Sequence, residues 1–172
     1  LLSLNLKHNE EVIVTPRSYF SSASSILKVG LKPIFADIDI NSQNITLDSI
    51  KKLINKKTKV IICVHLAGFP CDMNEISSFA RKKKIKIIED CSQAHGAKIK
   101  NKKVGSFGDI SVWSFCNDKI ISTGGEGGMI CTDSKVLWNK IWSLKDTGKN
   151  FDKVYNYKHK FGFKWLNHTF GT

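Results

Sequence analysis

Short apolar runs alternate with helix-spaced stretches along most of this chain, which points to a mostly parallel sheet covered by helices. Glu11 to Thr15 (EVIVT) predicts a strand that Pro16 ends. Ser18 to Val29 has helical spacing at Ala23, Ile26 and Leu27, with Gly30 as its stop. Pro33 to Ile38 predicts the next strand. Thr46 is placed to cap a helix to Asn55, with Leu47, Ile50, Leu53 and Ile54 on one side. Val60 to Leu66 (VIICVHL) has the unbroken apolar character of a strand buried on both faces. Asp72 is placed to cap a helix to Lys84 whose inner side is Met73, Ile76, Phe79 and Ala80. Ile85 to Glu89 and Ile110 to Phe115 predict two more strands, and Gly128 to Thr132 a further one. Ser134 caps a helix through Leu144, and after Gly148 the chain turns aromatic, basic and irregular.

Parallel sheets collect ligands beyond the carboxyl ends of their strands. Asp90 closes the strand that starts at Ile85, Ser114 lies at the end of the next, and Lys119 follows five residues later. Gly124, Gly125, Gly127 and Gly128 then surround Glu126. An acid, a hydroxyl and an amine just past strand ends suit a phosphorylated, carbonyl-bearing cofactor, and pyridoxal phosphate is the obvious one. Its chemistry needs an acid against the pyridine nitrogen, because a protonated ring draws electrons from the substrate carbanion. Asp90 supplies that acid or, equally, is the N-cap carboxylate of a helix that a turn through Cys91 to Ala94 would start. With Glu89 before it, one carboxylate should point into the crevice and one away.

Lys119 sits between CND and IIST, where partial desolvation would favour the neutral amine that attacks an aldehyde. Taken alone, in so lysine-rich a chain, it reads as a surface residue. Ser114 can offer its hydroxyl to a phosphate ester or be a plain strand-end serine. The glycine cluster matches neither GxxxxGK[ST] nor GxGxxG, and by itself marks a tight turn before a strand. Tyr19 is placed to stack on a flat ring or to pack on the core. Gln93, three residues past Asp90, can bond a ring hydroxyl or face solvent. His65 and His95 lie near strand ends and read as structural. The histidines show neither a Ser/His/Asp arrangement nor metal-ligand spacing.

Composition narrows the classes further. Of 172 residues, 41% are hydrophobic and 24% charged, ordinary for a globular protein. No apolar run reaches the roughly 18–20 residues of a membrane span. The start, LLSLNLKHNEEVIV, has no signal-peptide pattern and looks like the back half of a helix, so the chain reads as an internal piece of a longer protein. Five cysteines, at 63, 71, 91, 116 and 131, lack CxxC spacing and read as reduced cysteines of a cytoplasmic protein. Asn44-Ile-Thr46 and Asn167-His-Thr169 match the glycosylation pattern but mean little without a secretory signal. The formal charge of +12 is almost all scattered lysine, a pattern of solvated faces rather than a nucleic-acid groove. It would still help recruit an anionic substrate.

Several motifs in order carry a resemblance: EVIVTPRSYFSSASSI, GLKPIFADID, TKVIICVHLAGFPCDM, KIIEDCSQAHGA and VGSFGDISVWSFCNDKIISTGGEGGMICTD. The chain resembles the DegT/DnrJ/EryC1/StrS family of pyridoxal-phosphate-dependent sugar aminotransferases over nearly its whole length. The resemblance implies a three-layer α/β fold, the large domain of a fold-type I aminotransferase, with residues 1–148 its central part. Residues 149–172 would lead toward an Asn-aromatic-Arg region and a small domain, both beyond this chain, as is the family's upstream Gly-Thr-x-Ala phosphate turn. By the same resemblance Lys119 would bond covalently to the cofactor, Asp90 would pair with the pyridine nitrogen and Gln93 with the ring hydroxyl. Ser114 would bind the phosphate, and Tyr19 would stack on the ring. The implied enzyme is a cytoplasmic homodimer that aminates a nucleotide-linked keto sugar, with glutamate as donor, in cell-surface polysaccharide (lipopolysaccharide) or related sugar biosynthesis. Some members carry histidine in place of the lysine and act as dehydratases; Lys119 argues for transamination. The alternatives are a sugar dehydratase using the same cofactor and a truncated, non-catalytic remnant of the fold.

Overall fold

A computed structural model describes residues 1–156. The Asn167-His-Thr169 pattern and the HKFGFKWLNHTFGT stretch lie outside the described residues. Two compact units make up the chain: Leu1 with Leu6–Cys131, and Leu2–Asn5 with Thr132–Thr172.

The first unit is built on a six-stranded sheet. In chain order its elements are β1 (Glu11–Val14), α1 (Ser21–Lys28), β2 (Lys32–Phe35), α2 (Leu47–Lys51), β3 (Thr58–Val64), α3 (Met73–Lys83) and β4 (Lys86–Asp90). A small hairpin follows, β5 (Lys98–Ile99) and β6 (Lys102–Lys103), then β7 (Ile110–Ser114) and β8 (Gly128–Cys131). The sheet order is β2-β1-β3-β4-β7-β8, parallel except for β8, which runs antiparallel to β7. The chain steps from β1 to β2 in one direction, then from β2 to β3 and β4 in the other. Right-handed crossovers therefore put α1 on the opposite side of the sheet from α2 and α3.

Burial follows the expected pattern. β3 is buried at every position but Lys59. Ile13, Ile61 and Ile87 form a row across β1, β3 and β4, and Ile50 of α2 with Met73, Ile76 and Ala80 of α3 completes that core. Each such side chain withdrawn from water contributes roughly 1.5–3 kcal/mol. The caps of α2 and α3 are those the sequence marks. Thr46 accepts from the Ser49 amide at 3.2 Å, with the Ser49 hydroxyl accepting in return from the Thr46 amide. Asp72 accepts from Glu75 at 3.4 Å.

Several expected bounds need correction: α1 begins at Ser21 rather than Ser18, and β2 ends at Phe35 rather than Ile38. The opening residues make one 3₁₀ turn, Leu2–Leu4, rather than the back half of a helix, with Asn5 and Asn9 in the left-handed region just after it. α2 ends at Lys51, short of Asn55, whose side chain instead reaches Glu11 at 2.7 Å and whose amide is held by Thr58. The β5–β6 hairpin was not expected in so lysine-rich a stretch.

In the second unit α4 (Lys135–Lys145) is capped by Ser134, which accepts from the Leu137 amide at 3.3 Å. α5 (Phe151–Tyr155) occupies part of what the sequence reads as irregular chain. Phe151 meets Trp138 and Trp142 edge-on, with centroids 4.9 and 5.2 Å apart, contacts that give a short helix a partner to pack on.

Candidate active site at the carboxyl edge of the sheet

Parallel strands release their side chains at a common edge, and β4 and β7 are neighbours there. Asp90 lies opposite Val112, so Asp90, Val112 and Ser114 share one face while Glu89 and Ser111 turn to the other. The two adjacent acids therefore point opposite ways, as strand parity requires. Asp90 Oδ1 accepts from the Ser92 amide at 3.0 Å. The backbone then closes a turn, Ala94 N to Cys91 O at 2.9 Å, and no helix starts here, which removes the helix-cap alternative.

Gln93 sits just beyond. Its Oε1 accepts from the Ala67 amide at 2.8 Å, so its NH₂ end is the part left to donate. Ala67 belongs to the turn Leu66–Gly68 after β3 and holds φ of 51°, a left-handed conformation uncommon for alanine. Ser114 accepts from the Cys116 amide at 3.3 Å, which leaves its hydroxyl proton to point elsewhere.

Lys119 closes a turn with its amide on Cys116 O at 3.0 Å. Its side chain is 18% exposed and its Nζ lies 3.1 Å from Asp118 Oδ1. The sequence context suggests a desolvated amine; the structure gives it a carboxylate partner. Lys119 first, then Cys116, hold the Asp118 carboxyl below its ordinary pKa. The rest of the β7–β8 connection is tied by Phe115 N to Gly127 O at 2.8 Å and Thr123 N to Phe115 O at 3.0 Å. A Cβ at Gly127 would lie 2.8 Å from Thr123 Oγ1, and Gly124 holds φ of 78°, so the glycine cluster serves the turn. Cys116 donates its thiol to Glu126 at 3.2 Å.

Tyr19 stands beyond β1, which is separated from β4 by β3. It is 78% exposed, which excludes the core-packing alternative, and it makes no hydrogen bond to the other four candidates. The edge thus brings Asp90 and Ser114 onto one face, sets Gln93 and Lys119 in the turns that follow them, and leaves Tyr19 exposed beyond β1, one strand removed from β4.

Glu89 and His65 carry more of the site's framework than the sequence discloses. Both are fully buried and their side chains meet at 3.1 Å. Glu89 also accepts from the amides of Gly105, Phe107 and Gly108 at 2.8, 2.7 and 2.6 Å. Burial alone would raise its pKa; the hydrogen bonds from His65, Gly105, Gly108 and Phe107 more than offset this and hold it below the ordinary value. The only advance signal was an acid inside an apolar strand. Among the described residues, His65, Glu89 and Cys91 also bring possible metal-ligand atoms within 4.8 Å of one another. Four donors already occupy the Glu89 carboxylate, so the cluster reads as a hydrogen-bond network.

A largely parallel sheet flanked by helices is the large-domain architecture of fold-type I aminotransferases. The model of the DegT/DnrJ/EryC1/StrS aminotransferase family matches residues 1–168, and the chain belongs to that family. GDP-perosamine synthase of Escherichia coli O157:H7 is 42% identical over 155 residues, covering 90% of this chain and 42% of that protein. The crystal structure of an aminotransferase from Psychrobacter cryohalolentis superposes with a TM-score of 0.96 at 50% identity, over 100% of this chain and 44% of the other. NtdA from Bacillus subtilis, solved with bound cofactor PMP, gives a TM-score of 0.87 at 31% identity, over 100% of this chain and 37% of the other. The chain thus spans about two fifths of the length of the relatives it matches.

Proposed function

We propose that the full-length protein is a pyridoxal-phosphate-dependent aminotransferase that places an amino group on a keto carbon of a nucleotide-linked sugar, with glutamate as donor. The observation that supports this is strand parity, which puts Asp90 and Ser114 on one face at the ends of neighbouring strands, with Gln93 and Lys119 in the segments that follow, in a chain of this family. Similarity to an enzyme named GDP-perosamine synthase supports a nucleotide-sugar substrate. The donor set also fits the cofactor: one carboxylate oxygen of Asp90 without a partner among the described residues, a free amide NH₂, an uncommitted hydroxyl proton, a part-buried amine and an exposed aromatic ring.

Bound there, pyridoxal phosphate supplies an electron sink that stabilises negative charge on the substrate carbon. Asp90 holds the proton on the ring nitrogen. Gln93 donates through Nε2 to the ring oxygen, its Oε1 being fixed by Ala67. Ser114 donates its hydroxyl to a phosphate oxygen, helped by the Cys116 amide that polarises Oγ. Lys119 would hold the cofactor and would supply, through Nζ, the base that takes up and gives back the substrate-carbon proton. Tyr19 offers its ring as a stacking platform. Residues 1–148 would belong to the large domain, and the whole enzyme would act as a cytoplasmic homodimer in lipopolysaccharide or related sugar biosynthesis.

The test is incubation of full-length protein with pyridoxal phosphate, glutamate and a panel of nucleotide-linked keto sugars. Glutamate consumption matched by an amino sugar is the expected result. Absence of turnover with every sugar, together with no visible absorption band from bound cofactor, would overturn the reading.

A further inference from the structure

Asp90 has to hold its carboxylate still at the open end of a strand, and the structure locks its backbone from both sides. The His65 amide donates to Asp90 O at 3.0 Å, and on the opposite flank Cys91 N donates to Val112 O at 2.9 Å. The preceding residue is anchored as well. Glu89, 0% exposed, accepts from the His65 ring and from three amides of the segment 105–108. His65 therefore grips two consecutive residues of β4: the main chain of Asp90 and the side chain of Glu89. Its own ring is fixed in turn, because the Cys71 amide donates to Nδ1 at 3.2 Å. With Nδ1 occupied as an acceptor, the ring proton sits on Nε2, facing Glu89.

We propose that Glu89 and His65 are positioning residues that fix the height and rotation of Asp90 at the sheet edge, and so set its hydrogen bond to the cofactor's ring nitrogen. This rests on the pyridoxal-phosphate reading of the site. Neither residue touches the ligand. Glu89 faces the other side of the sheet from Asp90 and acts through the strand they share. A carboxylate with four donors resists rotation in a way a buried apolar side chain does not, since any turn of β4 breaks several hydrogen bonds together. The same network ties the segment 105–108 to the strand that bears the acid.

The experiment uses full-length protein with pyridoxal phosphate and follows the pH titration of the bound cofactor's visible absorbance. It compares wild type, Glu89→Gln, His65→Gln, Asp90→Asn and the double variant Glu89→Gln/Asp90→Asn, each held below its own unfolding temperature. Misplacing Asp90 should move the titration midpoint by about one pH unit in Glu89→Gln, in the same direction as Asp90→Asn. In the Asp90→Asn background the Glu89 substitution should add no further shift, since there is no carboxylate left to position. His65→Gln, which keeps a donor toward Glu89, should shift less; if Glu89→Gln does not fold, His65→Gln and its double variant with Asp90→Asn carry the same comparison. A lowered unfolding temperature with an unmoved midpoint, or equal shifts with and without Asp90, would overturn the proposal. If wild type itself shows no cofactor band, it is the cofactor reading that fails.

Discussion

Ser114 carries the first prediction about single side chains. If its hydroxyl meets a phosphate, Ser114→Ala removes a hydrogen bond to a charged group, about 1.5–3 kcal/mol. That corresponds to roughly a tenfold or greater loss of cofactor affinity in the full-length protein, read by titrating visible absorbance; unchanged affinity would remove Ser114 from the phosphate. Glu89 supplies a second prediction. Its folded pKa lies below the ordinary 4.5, so the stability it contributes is present above that value and lost as pH falls through the folded one. Acid unfolding should therefore be steeper below about pH 4.5 in wild type than in Glu89→Gln, measured by denaturant midpoints across pH; identical slopes would contradict it. What could be read in advance from single residues was uneven. The placing of Asp90 and Ser114 at strand ends was legible because each closes an apolar run. The four-donor seat of Glu89 was not, since three of its partners are backbone amides, which no sequence displays. The ion pair of Lys119 with its neighbour Asp118 stood in plain sight as DK, yet its apolar flanks pointed to desolvation.

Secondary-structure elements were legible in proportion to how buried they are. β1, β3, β4 and β7 lie inside the sheet and announce themselves as apolar runs. The β5–β6 hairpin, KIKNKK, is built from residues that ordinarily mark solvated coil; it forms because Lys100 adopts a left-handed turn and Val104 behind it is buried with Cys91 and Ala94. The starts of α2, α3 and α4 were legible through their caps, while the end of α2 was not, because a tertiary bond from Asn55 to Glu11 draws the chain out of the helix. Two stability predictions belong here. Ile61→Ala, in the middle of the core row, should cost about 2–5 kcal/mol in chemical unfolding of the full-length protein. Asp72→Ala, at the start of α3, should cost about 0.5–1 kcal/mol, the lower part of the capping range, since its hydrogen bond is long at 3.4 Å. A larger loss from the cap than from the core would invert the balance described for this sheet.

For the molecule as a whole, alternation of strand and helix was enough to give the architecture, because parallel crossovers allow few arrangements. Function needed more. The net charge of +12 alone would have pointed toward nucleic acid, and only its scatter along the chain, with the motifs at the carboxyl edge, turned the reading toward a small-molecule enzyme. The most direct measurement traps the cofactor covalently: full-length protein with pyridoxal phosphate is reduced with borohydride, digested and mapped by mass spectrometry. The cofactor mass should fall on the peptide at Lys119 and vanish in Lys119→Ala. Its appearance on a different lysine, or its persistence in that variant, would contradict the site described here.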